Sequence, residues 1–230
     1  MEFIANNTHS NDNIYIHDTE VNINAKILKL CDKGLKSFPE QIFQLTQLEE
    51  LDLSCNEIVK IPPDINLLKN LTKLSLWNNC IEIIPPEIFQ MTQLVSLVLN
   101  DNFITNIPRD IGLLKELECV SLSTNYIKTV PDVLFEIPTI NRLYLHNNRI
   151  KFIPHNASKV CQLSICSLFD NNLIYNLVDT PTNNNAEDIT KIMHIIQKVF
   201  LCMARLKIQV FLSKYMLPKF YDYNTICIEI

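Results

Sequence analysis

Residues 48–70 read LEELDLSCNEIVKIPPDINLLKN, and residues 71–93 read LTKLSLWNNCIEIIPPEIFQMTQ. Laid one over the other, they share leucine at positions 1, 4 and 6, asparagine at 9, isoleucine at 11 and 14, and proline at 15. The same spacing runs outward in both directions. Prolines stand at 39, 62, 85, 108, 131 and 154, asparagines at 56, 79, 102, 125, 148 and 171, and leucines at 30, 53, 76, 99, 122, 145 and 168, always 23 residues apart. Further units occupy 94–116, 117–139 and 140–162, a degenerate one fills 25–47, and a decaying one begins at Leu163. A fixed period of this length is the signature of a repeat architecture, in which each unit packs only on its neighbours.

The chemistry of the columns predicts the shape of one unit. Apolar positions 4 and 6 alternate with polar neighbours, as in Leu51-Asp52-Leu53, which is the pattern of a short strand with one buried face. Such a strand cannot stand alone, so stacked units must share a parallel sheet and a continuous core. The asparagine side chain both donates and accepts hydrogen bonds, and a ladder of Asn56, Asn79, Asn102, Asn125, Asn148 and Asn171 is expected to satisfy backbone groups that each turn would bury. Proline fixes φ and has no N–H, which suits an opposite side without a hydrogen-bonded ladder. Ile65, Ile88, Ile111 and Leu134, with Leu68, Met91, Leu114 and Ile137, should close that side inward.

The motif L-x-x-L-x-L-x-x-N-x-I-x-x-I-P over residues 25–177 resembles the leucine-rich repeat, and its 23-residue I-P form is similar to the intracellular Ras-group proteins. The resemblance implies an α/β solenoid, curved and right-handed, with a parallel concave sheet and an irregular or short-helical convex side. It implies binding rather than catalysis. The edge units depart from the motif: Ala25 and Lys33 replace leucine and asparagine in the first, Ala157 replaces a large convex residue in the sixth, and Cys166 replaces a leucine in the seventh.

Exposed ends of a solenoid need cover. Residues 1–24 are expected to form an N-terminal tail and cap, with cap strands around Ile14-Tyr15-Ile16 and Val21-Asn22-Ile23. After a linker at 178–185, residues 186–230 are expected to form a helical C-terminal cap or tail, because Ile192, Ile195, Ile196, Val199, Met203, Leu206 and Val210 make a helical apolar stripe. Within it, Phe200, Ala204 and Ile208 are loosely similar to the hydrophobic, small and hydrophobic positions of a tail box in substrate adaptors of cullin-type ubiquitin ligases. That is the alternative to a plain cap. Cys227 stands fourth from the last residue, the spacing of a prenylation box, although Glu229 and Ile230 fit that box poorly.

Composition narrows the function classes. Twenty basic against 25 acidic residues leave a net charge of −5 in 230 residues, so no overall basic field draws nucleic acid or anionic lipid. Only 2 glycines occur, which excludes Gly-rich phosphate loops. No secretory signal or apolar span is visible, and the 8 cysteines form no C-x-x-C pair, so the expectation is a cytoplasmic monomer with free thiols, without metal or cofactor. Catalytic pairings are weak: His146 and Cys119 occupy different columns, and Glu49, Glu50 and Asp52 form a solvated acidic patch. What remains is the concave face, built from positions 3, 5, 7 and 8. A partner protein of unknown identity is expected to bind there through Trp77, Val98, Asn100, Arg142, Tyr144, His146 and Phe169, with Glu50, Asp52 and Lys73 beside them. Trp77, the single tryptophan, is expected to be exposed, and Trp, Tyr and Arg are the types enriched in binding hot spots.

Overall fold

The structure, a computed structural model, describes residues 13–16, 19–154, 156–157, 163–168 and 170–172. It opens with β1 (Asn13–Ile16) and β2 (Thr19–Asn22), an antiparallel pair. Each repeat then contributes three residues, its positions 3–5, to one sheet: β3 (Ile27–Lys29), β4 (Glu50–Asp52), β5 (Lys73–Ser75), β6 (Ser96–Val98), β7 (Cys119–Ser121), β8 (Arg142–Tyr144) and β9 (Ile165–Ser167). These seven strands are parallel and lie in chain order. The register equals the sequence period: Leu51 faces Leu74 and Leu74 faces Leu97, 23 residues on each time. A slip of one residue would turn every leucine out of the core, so the repeat and the register enforce each other.

Prolines 39, 62, 85, 108 and 131 are extended, with φ between −74 and −60. Each carbonyl accepts the N–H three residues on, from Ile42, Ile65, Ile88, Ile111 and Leu134. The product is a five-residue 3-10 turn per repeat: Glu40–Gln44, Pro63–Leu67, Pro86–Gln90, Arg109–Leu113 and Asp132–Glu136. The side opposite the sheet is therefore short-helical.

The leucine and isoleucine columns meet between sheet and turns. Leu53, Leu76, Leu99, Leu122 and Leu145 are fully buried, as are Ile58, Ile81, Ile104, Ile127 and Ile150. The residues expected to close the convex side, from Ile65 to Ile137, are all at 0–1% exposure. Burying one such side chain contributes about 1.5–3 kcal/mol against ordering entropy. The core continues through Ile16 and Val21 of the hairpin, which join the apolar cluster of Leu28 and Leu30. At the other end of the described array, Ile153, Ala157, Leu163, Cys166 and Leu168 are only partly buried. The linker at 178–185, the expected cap at 186–230 with Phe200, Ala204 and Ile208, and Cys227 lie outside the described residues. Among the described residues, no helix is long and apolar enough to cross a membrane.

Candidate functional site

The turn that follows each strand repeats one set of bonds. In the third repeat, Asn79 Nδ2 donates to the carbonyls of Leu76 (3.2 Å) and Trp77 (3.3 Å) in its own turn and of Leu53 (3.0 Å) in the preceding one. Its Oδ1 accepts the Ile58 N–H at 2.9 Å. Asn102, Asn125 and Asn148 make the same four contacts at the same offsets. Asn56 Oδ1 takes the N–H groups of Lys33 and Leu35, the unit that lacks its own asparagine. Asn171 donates to Leu145 and Leu168 and accepts from Ile150. Every asparagine thus ties its own turn to the one before.

Next to this ladder lies a column whose backbone role sequence reasoning missed. Asp32, Cys55, Asn78, Asp101, Thr124, Asn147 and Asp170, all at position 8, have φ between 52 and 55. This is the left-handed region, which Asn and Asp tolerate and which a β-branched residue strongly resists. The signal was available: five of the seven residues in the column are Asn or Asp. Position 8 is therefore chosen first for its backbone and only second for what it offers a ligand.

The concave face is more closely fitted than its alternation predicts. Trp77 is half-buried, not exposed, and its Nε1 donates to Asp101 Oδ2 at 2.7 Å. Asn100 Nδ2 donates to the same oxygen at 3.1 Å, and Ser121 Oγ donates to Asn100 Oδ1 at 3.2 Å. Val98, expected to be free for contact, is buried, as are Cys119, Ser121 and Ser123. All four are short side chains, and they are buried although they belong to the concave face. The middle of the sheet is a floor of small residues. On one side of it Lys73 pairs with Glu50 at 2.7 Å, Asp52 Oδ1 accepts the Ser54 N–H at 3.0 Å, and Trp77 stands. On the other side are Arg142, Tyr144 and His146, from β8 and the residues just after it. Trp77 and Tyr144 belong to repeats three steps apart, about 14 Å along the stack. The structure brings Trp77 and Asn100 onto one carboxylate and gathers Arg142, Tyr144 and His146 on one repeat, but keeps the two groups apart. Phe169 lies outside the described residues.

Two features of the second wall bear on chemistry. Arg142 Nε is buried with no hydrogen-bond partner among the described residues. His146 Nδ1 lies 3.0 Å from Ser167 Oγ. Burial pushes the His146 imidazole below its usual range, and the nearby Asp101 and Asp170 carboxylates oppose that shift. Among the described residues, no group of three His, Cys, Asp or Glu could hold a metal ion.

A family model for leucine-rich repeats in two copies matches residues 46–89 and 69–111, within the stretch where the parallel strands, 3-10 turns and asparagines recur. The chain is a leucine-rich repeat protein. It is similar to a leucine-rich repeat protein of Leptospira interrogans, at 31% identity and a TM-score of 0.60 over 71% of this chain and 39% of that one. It is also similar to the leucine-rich repeat ectodomain of the Arabidopsis thaliana membrane receptor kinase GASSHO1/SCHENGEN3, solved in complex with Casparian strip integrity factor 2. That likeness is 29% identical with a TM-score of 0.55, and covers 60% of this chain and 17% of that one. Among curated proteins, human leucine-rich repeat and calponin homology domain-containing protein 2 is 39% identical over 56 residues, 24% of this chain and 7% of that protein. The chain thus spans only a minor part of each relative's length.

Proposed function

We propose that this leucine-rich repeat protein is a scaffold or adaptor that binds a partner protein through its concave face. One observation carries the reading: the floor of Val98, Cys119, Ser121 and Ser123 is walled by Trp77 on one side and by Arg142, Tyr144 and His146 on the other. A partner segment laid across the floor meets an aromatic anchor at one end and aromatic and guanidinium anchors at the other, the residue types that dominate binding energy. The Arabidopsis ectodomain, solved in complex with another named factor, supports binding as the use of such an array. We place the protein in the cytoplasm as a monomer in intracellular signalling, with no nucleic-acid partner. The free thiols of Cys31, Cys55, Cys80, Cys119 and Cys166 and the resemblance to Ras-group repeats support that placement.

The test fills the floor. Proximity labelling with wild type, with Ser96→Trp on β6 and with Glu87→Ala on the convex 3-10 turn should give one set of proteins that is lost only from Ser96→Trp. A set retained in full by a folded Ser96→Trp protein would refute the concave assignment.

A further inference from the structure

Positions 10, 12 and 13 of each repeat lie on the flank between the asparagine turn and the proline, beside the apolar residues at 11 and 14, all buried but Ile153. In the second and third repeats these positions mix charges, with Glu57, Lys60 and Glu82. In the fourth to sixth repeats they hold three aromatics (Phe103, Tyr126, Phe152), three cations (Lys128, Arg149, Lys151) and three neutral polar residues, with no acid. In a chain of net charge −5, that is a local reversal of sign. Phe103 and Phe152 are 44% and 53% exposed, and Phe103 stands between the buried Asn102 and Ile104. All three cations are exposed.

These side chains are organised. The Phe103 and Tyr126 rings stack with centroids 5.9 Å apart and planes 12° from parallel. Arg149 Cζ lies 4.3 Å from the Tyr126 centroid. Phe103 comes from the preceding repeat and Arg149 from the following one, so Tyr126 is covered on both faces. A guanidinium held flat on a ring keeps its N–H donors directed outward in its own plane, prearranged for a carboxylate fork. The ion pairs among the described residues are Lys26–Glu49, Lys73–Glu50 and Arg109–Asp132, none of which uses Lys128, Arg149 or Lys151.

We propose that this flank is a second interaction surface, which binds an extended acidic segment of a partner protein. Carboxylates of that segment meet Lys128, Arg149 and Lys151, and its apolar side chains lie against Phe103 and Phe152. Charge complementarity favours this occupant. Single-stranded nucleic acid would need free ring faces for its bases, and both faces of Tyr126 are taken. A membrane would need a continuous apolar face, and here Thr105, Asn106 and Thr129 interrupt it.

The experiment is fluorescence anisotropy on the full chain with a fluorescein-labelled peptide of alternating glutamate and leucine. The lysine–leucine counterpart, a labelled oligothymidine, and vesicles of phosphatidylcholine with phosphatidylserine are run in parallel. The acidic peptide should bind, and more weakly as salt rises, while the basic one should not. Arg149→Glu with Lys151→Glu should weaken binding by about tenfold or more, whereas Ser96→Trp on the concave face should leave it unchanged. Thermal melts confirm that each variant is folded, and Lys128→Gln with Lys151→Gln provides a milder second pair. The proposal is overturned if the acidic peptide fails to bind, if either pair binds it as well as wild type, or if Ser96→Trp abolishes binding. It is equally overturned if the oligonucleotide or the vesicles, and not the peptide, show the dependence on Arg149 and Lys151.

Discussion

The asparagine turn and the concave sheet face run side by side through the same repeats, yet they vary in opposite ways. Along the turn, Asn79, Asn102, Asn125 and Asn148 have the same identity and the same four hydrogen-bond partners in successive repeats. Along the concave face, position 7 changes from Ser54 to Trp77, Asn100, Ser123 and His146. The turn must be uniform because each amide satisfies backbone groups that no water reaches, and the backbone is the same in every repeat. The concave side chains satisfy no such shared requirement. The difference separates residues that hold the solenoid together from residues free to specify what it binds.

The largest effect expected from breaking the turn is at its centre. Asn102→Ala removes three donations and one acceptance and leaves the Ile81 N–H and the Leu76 carbonyl short of partners. It should lower stability by about 1–3 kcal/mol in a urea titration. An unchanged midpoint would mean that the ladder is not needed to satisfy the turn. A smaller effect of opposite sign is expected one residue before the next asparagine. Thr124 is exposed, β-branched and held at φ 52, so Thr124→Asn should stabilise the protein by about 1 kcal/mol. A loss of stability there would show that the threonine side chain compensates its backbone.

The smallest effect concerns pH. Burial, above all, holds the folded-state pKa of the His146 imidazole below that of histidine in the unfolded chain. The unfolded chain therefore binds the proton more readily, so this contribution is fully present above about pH 6.5 and is lost as pH falls through the folded value. Urea midpoints at pH 7.5 and 5.5 should fall further for wild type than for His146→Gln. Equal falls would show that the pH dependence lies elsewhere.

Spacing alone revealed the short strands, the parallel sheet and the buried columns, because a period of 23 residues makes each repeat a check on the others. It did not reveal which concave residues water reaches. Val98 and Ser121 face each other across β6 and β7, 23 residues apart, and both are buried, which alternation along a single strand does not rank. Trp77 was read as exposed for the same reason; its bond to Asp101 depends on a residue 24 positions on that alternation does not rank. The left-handed φ at position 8 was legible in the Asn and Asp of that column, and only Cys55 and Thr124 obscured it. The hairpin pairing of β1 with β2 followed from no repeat, so only the presence of cap strands could be anticipated.

The central claim is that variable concave positions bind while uniform turn positions hold the fold. Once a partner has been recovered by proximity labelling, its Kd is measured for wild type and for the Arg142→Ala/Tyr144→Ala pair, alongside a thermal melt of each. The account predicts a loss of affinity of about thirtyfold, or roughly 2 kcal/mol, with a melting temperature shifted by far less than Asn102→Ala shifts it. Wild-type affinity in the paired variant, or unfolding of that variant, would contradict the claim.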